Sequence, residues 1–232
     1  MTELHARIRK RIPKELFDRM ADCVSAEDRD EMAIPSYLHR NPLLRWMAWR
    51  RLEVIATHIR GDAMQRGGAF DRILDFGCGS GVLLDELSRI ATRVDGVDIV
   101  LDPARLLKNE WQLDKVTLME PDAARDVTPP GSVDAIVAAE VLEHIDPLDD
   151  TLAFFRRVLA RDGLLYVSVP TENALYKLGR RIAGFDDHYH ESDAATIHRQ
   201  ILQAGFRETR LSRIPAPGPL AIYWVATYRL AD

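Results

Sequence analysis

Short apolar runs alternate along this chain with longer stretches in which apolar residues recur every three or four positions. The first pattern is typical of buried strands in a parallel sheet, and the second is typical of helices that cover such a sheet. The runs predict strands at 72–76, 93–98, 116–119, 132–139, 164–170, 206–211 and 221–228. Strands that alternate with helices in this way favour the α/β fold class.

The longest predicted helix precedes the first strand and covers residues 43–60. Its apolar face carries Leu44, Ala48, Leu52, Ile55 and Ile59, and its opposite face carries Arg45, Trp46, Trp49 and Arg50. The proline-bracketed stretch 34–42 before it is predicted as an irregular connection. Further on, one helix is predicted at 148–160 with Gly163 closing it, and another is predicted at 192–205.

A glycine-rich turn joins the first predicted strand to the helix after it. Gly77, Gly79 and Gly81 suit a turn that needs unusual backbone angles and leaves room for a ligand against the main chain. The following helix is expected to direct its free N–H groups and the positive end of its dipole at that ligand. The second strand ends at Asp98, 17 residues after Gly81, where a carboxylate can accept both hydroxyls of a ribose. The pattern therefore predicts a nucleoside-binding site.

The spacing of the glycines separates two kinds of nucleotide site. The dinucleotide pattern G-x-G-x-x-G requires a third glycine where this chain has Val82. The observed pattern, D-x-G-x-G-x-G over 75–81, resembles motif I of the class I S-adenosylmethionine-dependent methyltransferases. Downstream, the string E-V-L-E-H-I at 140–145 resembles the signature of the ubiquinone-biosynthesis-type small-molecule methyltransferases. The resemblance extends over about residues 72–210.

The resemblance implies a fold and a division of the chain. The fold is a Rossmann-like, seven-stranded, mostly parallel sheet with helices on both faces, an antiparallel last strand and an N-terminal helical cap. Residues 1–60 form the helical extension, and residues 61–232 form the S-adenosylmethionine-binding methyltransferase domain, with an acceptor-side insert at 171–191. The insert is amphipathic, and its reading stays open between a lid, a partner face and a membrane-surface contact through 174–185.

The implied cofactor is S-adenosylmethionine, and the implied product is S-adenosylhomocysteine. By resemblance, Asp75 and the turn hold the methionine end, Asp98 holds the ribose, and the acidic residue after the third strand accepts from the adenine amino group. Cys78, inside the turn, is read as a small packing residue. The implied cofactor-binding residues are Asp75, Gly77, Cys78, Gly79, Gly81, Asp98, Ile99, Asp122, Ala123, Glu140 and Val141.

Histidines are the candidates for catalysis, because imidazole titrates in the right range to take a proton from the acceptor. His144 follows the fourth strand, near the expected methyl group, although a histidine in this signature can instead brace the loop. His188 and His190, in the insert, are the other candidate bases. Tyr37 and Tyr189 are candidates for lining the acceptor pocket, with packing of the cap as the alternative reading for Tyr37.

Composition limits the other classes of function. The chain has 232 residues and a formal net charge of −5, which gives no general attraction to nucleic acid. It has neither the roughly 18 consecutive apolar residues of a membrane span nor an apolar signal core, so a cytoplasmic location is expected. Two cysteines are too few for a disulfide framework. The His-x-His spacing at 188–190 invites a metal, but methyl transfer needs none and none is expected.

The sequence predicts methyl transfer from S-adenosylmethionine to an oxygen or nitrogen atom, ahead of carbon, of a small-molecule acceptor by in-line displacement. Two alternatives stay open. One is a regulatory or scaffold protein that binds S-adenosylmethionine without turnover. The other is a nicotinamide-dependent oxidoreductase, which Val82 disfavours.

Overall fold

The computed structural model describes residues 12–26, 29, 32, 34–171 and 194–231, with only the backbone of Pro219. The part of the predicted insert beyond Thr171, with the candidates His188, Tyr189 and His190, lies outside the described residues. The chain divides into two compact units, Met1–Thr128 and Pro129–Asp232.

The first unit contributes three strands, β1 (Phe70–Phe76), β2 (Ala91–Val97) and β3 (Val116–Met119). β2 lies in the middle and pairs in parallel with both neighbours. Its apolar side chains are fully buried, as expected for a central parallel strand. The register aligns Phe76, Val97 and Met119 in one row. The residues that follow the three strands therefore emerge at one edge of the sheet.

Helices flank these strands in the sequence. In chain order the helices described in the first unit are α1 (Lys14–Asp22), α2 (Ile34–Leu38), α3 (Pro42–Gln65), α4 (Leu84–Arg89), α5 (Asp102–Glu110) and α6 (Pro121–Val127). The start of α3 follows from its sequence, because Asn41 Oδ1 accepts the Leu43 N–H at 2.9 Å. Pro42 occupies the first helical position, where no N–H is needed.

The structure differs from the sequence-based expectations at three points in this region. The stretch 34–42 is not irregular throughout, because α2 forms within it, and Pro35 is tolerated in a first turn. Trp49, predicted on the face of α3 opposite the apolar stripe, is buried: it is 3% exposed, and its Nε1–H donates to the Tyr37 carbonyl at 3.2 Å. α3 also continues past residue 60, so the predicted start of the methyltransferase domain falls inside a helix.

The second unit contributes four strands among its described residues, β4 (Val133–Ala139), β5 (Leu159–Pro170), β6 (Phe206–Ile214) and β7 (Tyr223–Leu230). Its helices are α7 (Asp149–Val158) and α8 (Ala194–Gln203), with short 3-10 turns at Leu142–His144 and Gly218–Leu220. β4 and β5 are parallel, whereas β7 runs antiparallel to both β5 and β6.

The described strands form a seven-stranded sheet in the order β3-β2-β1-β4-β5-β7-β6. The order and the reversed β7 confirm the predicted Rossmann-like, mostly parallel sheet with an antiparallel last strand. The helices α1 to α3 stand before the first strand, where the helical extension was expected.

Gly163 does not close a helix, which corrects a further prediction. α7 ends at Val158 and the chain passes directly into β5, which contains Gly163. A Cβ at this position would lie 2.6 Å from Leu159 Cγ. The register of β4 against β5 also shifts between Val133 and Ala135. The glycine therefore belongs to an irregular part of a strand, where it allows close packing.

No helix in the described ranges combines the length and the apolar character needed to cross a bilayer.

Candidate functional site

The glycine turn after β1 folds back onto the end of β2. Gly77, Gly79 and Gly81 have φ angles of 77°, 51° and 78°, in the left-handed region that glycine tolerates best. The N–H groups of Gly77 and Cys78 both donate to the Val97 carbonyl, at 2.8 and 3.0 Å. The turn is thereby fixed against the strand that leads into Asp98.

Asp98 holds the turn from the other side. Its Oδ2 accepts the Gly79 N–H at 2.6 Å, and its Oδ1 accepts the Val100 N–H at 3.2 Å. Burial raises the pKa of this half-buried carboxyl, and the N–H groups of Gly79, Val100 and Ile99 oppose that change. The predicted ribose acid therefore lies at the turn, with its orientation set by backbone donors.

Asp75 lies at the carboxyl end of β1 with its side chain almost completely enclosed. The residue is 2% exposed, and its Oδ2 has no hydrogen-bond partner among the described residues. Burial, and then the charge of Asp98, raise the pKa of Asp75 to about 7. A buried acceptor without a donor is costly, so the site is suited to a ligand that brings a donor or a positive charge.

Four of the five backbone N–H groups over residues 77–81 are already used within the protein, and among the described residues that of Ser80 has no such bond. Besides the bonds of Gly77, Cys78 and Gly79, the Gly81 N–H donates to the Cys78 carbonyl at 2.8 Å. The following helix, α4, begins only at Leu84 and carries Asp85 and Glu86 in its first turn. The two acids at the start of this helix oppose a bound anion such as a pyrophosphate, and the expectation that the helix directs free N–H groups at the ligand stays a prediction.

Two glycines are required by packing. A Cβ on Gly81 would lie 2.9 Å from Leu84 Cδ1 and 3.2 Å from the Ala104 backbone Cα, so a side chain there would displace the Leu84 side chain and crowd the backbone of α5. Gly96, in β2, makes room for Cys78: a Cβ would lie 3.3 Å from the Cys78 sulfur and 2.7 Å from Leu118 Cδ2. The sequence reading missed Gly96, although an isolated glycine inside a strand signals such a close approach.

Three further predicted cofactor residues follow β2 and β3 at the same sheet edge. Ile99 directly follows Asp98 and is 74% exposed, which is unusual for a large apolar side chain and suits contact with a flat base. Asp122 and Ala123 lie exposed in the first turn of α6. Their role in binding adenine stays a prediction.

The E-V-L-E-H-I string, in the second unit, begins with a strained residue. Glu140 has a φ of 55°, its N–H donates to the Ser168 carbonyl at 2.9 Å, and its Oε1 accepts the Ser168 hydroxyl at 3.5 Å. A non-glycine residue in the left-handed region is uncommon and marks candidate functional positions. Half-buried Val141 leads into the 3-10 turn. Glu140 and Val141 stay predicted cofactor residues.

His144 is exposed at the end of that 3-10 turn, and its N–H donates to the Val141 carbonyl at 3.1 Å. Its role as a base stays a prediction. Glu143, one residue earlier, is buried, which the sequence reading did not anticipate.

Tyr37 is part of an aromatic cluster in the N-terminal helices. Its ring centroid lies 5.7 Å from that of Phe17 and 4.8 Å from that of Trp49, and the Arg51 guanidinium lies 5.7 Å from the ring centroid. The residue is 5% exposed. These contacts support the packing alternative, and a role in acceptor binding stays an untested prediction.

No group of three or more His, Cys, Asp or Glu side chains in the described ranges is arranged to hold a metal ion. At the turn, backbone N–H groups fix the carboxylate of Asp98, and Asp75 offers a buried acceptor, an arrangement that suits a ligand with hydroxyl groups and positive charge.

The chain matches a family of known proteins. Residues 7–211 match the family model described as "Methyltransferase domain". The chain is 29% identical over 161 residues to the mitochondrial ubiquinone biosynthesis O-methyltransferase of Bos taurus, covering 65% of this chain and 42% of that protein. It therefore spans less than half the length of this curated relative.

Solved structures share the fold. Magnesium protoporphyrin IX methyltransferase from Synechocystis PCC 6803, with bound S-adenosylhomocysteine, is 18% identical, with a TM-score of 0.64 over 93% of this chain and 100% of that one. The 4+2 cyclase SpnF is also 18% identical, with a TM-score of 0.61 over 79% of this chain and 82% of that one.

Proposed function

The chain belongs to the methyltransferase domain family, whose methyl donor is S-adenosylmethionine, and we propose that it methylates an oxygen or nitrogen atom of a small-molecule acceptor. This membership confirms the family predicted from the glycine turn and the string at 140–145.

The acid pair at the glycine turn carries the proposal. Asp75 and Asp98 place two carboxyl groups at a turn in which four of the five N–H donors over residues 77–81 are already paired within the protein. A pyrophosphate would meet negative charge and few free donors there, whereas a sulfonium nucleoside brings positive charge, an ammonium group and two ribose hydroxyls. The same feature disfavours a nicotinamide dinucleotide.

Residues of the first unit each contact a different part of the cofactor. Asp98 accepts the ribose hydroxyls with the carboxylate orientation that Gly79 and Val100 already impose. Asp75 accepts from the methionine end with the oxygen that has no partner in the described chain. Ile99 presents its exposed side chain to the adenine face. When bound, S-adenosylmethionine supplies an activated methyl group on a sulfonium that needs no further activation.

Catalysis then rests on alignment and on removal of a proton. Fixing the acceptor in line with the methyl group is worth about 7–11 kcal/mol of the barrier. A positioned base adds about 10²–10⁴-fold when the acceptor must lose a proton. His144 is the described candidate for that base, and it follows the strained Glu140 in the same signature. The O-methyltransferase name of the curated relative supports an oxygen acceptor ahead of nitrogen.

A second candidate function is binding of S-adenosylmethionine without transfer of its methyl group. The fold of this chain is shared with a cyclase, so the fold by itself does not specify methyl transfer. A cofactor-binding protein without methyl transfer is therefore the alternative that the experiment must separate.

The test is incubation with methyl-labelled S-adenosylmethionine and fractionated cell extract, followed by chromatography of small molecules. The proposal predicts a labelled small molecule, with labelling reduced at least tenfold for Asp98→Ala at limiting cofactor. Asp126→Ala, which changes an exposed acid in α6, is the matched control and should label normally. Cofactor binding without any labelled product would favour the second candidate function.

A further inference from the structure

Met32 lies where the N-terminal segment meets the glycine turn. A Cβ placed on Gly79 would approach one atom within 4 Å in the described part of the chain, Met32 Cγ, at 3.9 Å. Gly79 is also the residue whose N–H donates to Asp98 Oδ2. Three segments that are distant in the sequence thus converge at one corner, and Met32 is its apolar member.

Described residues on both sides of Met32 in the sequence are held by contacts. Before it, the guanidinium of Arg29 donates from Nε and Nη2 to the Ala21 carbonyl, at 3.1 and 2.8 Å. After it, Ile34 is fully buried at the start of α2. Arg19 on α1 bonds to Glu110 on α5 at 2.9 Å, which ties the N-terminal helices to the helix that follows Asp98.

We propose that the Met32 side chain is a cofactor contact that packs against the nucleoside held by Asp98. This inference rests on the proposed function and adds a residue that the sequence patterns did not single out. A thioether side chain is apolar, polarizable and adaptable, so it covers ribose and base edges without competing for the hydrogen bonds of Asp98. Its half-buried state leaves surface for a ligand to cover.

Methionine oxidation reports this contact directly, because peroxide converts an accessible thioether to the sulfoxide. Cleavage after Lys and Arg gives peptides 30–40 and 61–66, which contain Met32 and Met64 as their single methionines. Met64, on α3, is 74% exposed and serves as the internal control. S-adenosylhomocysteine should slow oxidation of Met32 at least fivefold and leave the rate for Met64 unchanged.

Substitutions give a second readout. Met32→Ala should raise the dissociation constant for S-adenosylhomocysteine about tenfold through lost apolar contact, and Met32→Leu should restore most of the affinity. Met64→Ala is the matched control and should bind like the unmodified protein. Unfolding curves for the variants separate a lost contact from a lost fold.

The outcomes distinguish this inference from the function on which it rests. If calorimetry shows that S-adenosylhomocysteine binds while Met32 oxidises at an unchanged rate, or if Met32→Ala binds normally, Met32 is not a cofactor contact and the proposed function stands. If the unmodified protein does not bind S-adenosylhomocysteine at all, the proposed function fails and this inference fails with it.

Discussion

Two carboxyl groups share the glycine turn, and no Lys, Arg or His of the described ranges is bonded to either of them. Backbone N–H groups stabilise the ionised form of Asp98. Burial and the neighbouring negative charge of Asp98 instead disfavour ionisation of Asp75. With a pKa of about 7, Asp75 is therefore only partly ionised near neutral pH in the free protein. Burying this acid lowers the free energy of unfolding, and it does so at the place where a cationic ligand would bind. Acids with a shifted pKa are common at functional sites.

The free energy of unfolding of the free protein should depend on pH through the ionisation of Asp75. Its pKa is about 7 in the folded protein and near 3.8 in the unfolded chain. As pH rises from about 4 to 7, the unfolded chain releases this proton while the folded protein keeps it, so this contribution lowers stability. Above about pH 7 the loss is complete, on the order of a few kcal/mol.

Urea unfolding at pH 5 and pH 8 measures this effect through a difference between two proteins. Asp75→Asn removes the titration, so the variant should gain stability relative to the unmodified chain as pH rises from 5 to 8. The comparison cancels groups that titrate equally in both proteins. An equal change in both proteins would show that Asp75 ionises normally in the fold.

Gly81 should be more sensitive to substitution than another glycine with a similar backbone angle. Gly81→Ala combines a strained φ of 78° with contacts below 3.3 Å to α4 and α5, so we expect a loss of about 2–4 kcal/mol. Gly131→Ala, with a φ of 62° and no atom within 4 Å, should lose only about 1 kcal/mol. Equal losses in urea unfolding would mean that the turn is not tightly packed against α5.

At the scale of elements, a buried ion pair joins α3 to the helix that follows the glycine turn. Arg60 Nη1 lies 2.6 Å from Glu86 Oε1, and their side chains are only 15% and 4% exposed. Removing one partner of a buried pair leaves a charge in a poor environment, so Arg60→Ala should cost about 2–4 kcal/mol.

The exposed pair Arg105–Asp102 is the matched control for that measurement. Its side chains are both more than half exposed, so Arg105→Ala should change stability by about 0.5 kcal/mol or less. Similar losses for the two variants in urea unfolding would show that the Arg60 pair does not anchor α3.

Elements were predictable where one periodicity dominates. The buried strands were predictable because they are short apolar runs. The turn at 77–81 was predictable because its glycines lie between a strand pattern and a helix pattern. The burial of Trp49 was not predicted, because α3 is buried around much of its circumference and a helix with a single apolar face does not describe it. Gly163 was misread because a glycine after a helical pattern indicates a C-cap unless the strand partner is known.

At the scale of the whole molecule, the strand order follows from the α/β pattern and the family resemblance, and the reversed β7 completes the expected sheet. The site could be predicted in part, because motif spacing marks Asp75 and Asp98 as chemistry-bearing positions. Met32 could not, since its place beside Gly79 depends on how the N-terminal segment packs, which no local pattern encodes.

The central claim is that the turn and its acids bind a sulfonium nucleoside. Titration calorimetry with S-adenosylhomocysteine tests the shared nucleoside contacts most directly, comparing the unmodified protein with Asp98→Ala and with Asp126→Ala as the control. We predict binding by the unmodified protein, at least tenfold weaker binding by Asp98→Ala because the ribose acceptor is lost, and unchanged binding by the control. Equal affinity for Asp98→Ala and the unmodified protein would contradict the account.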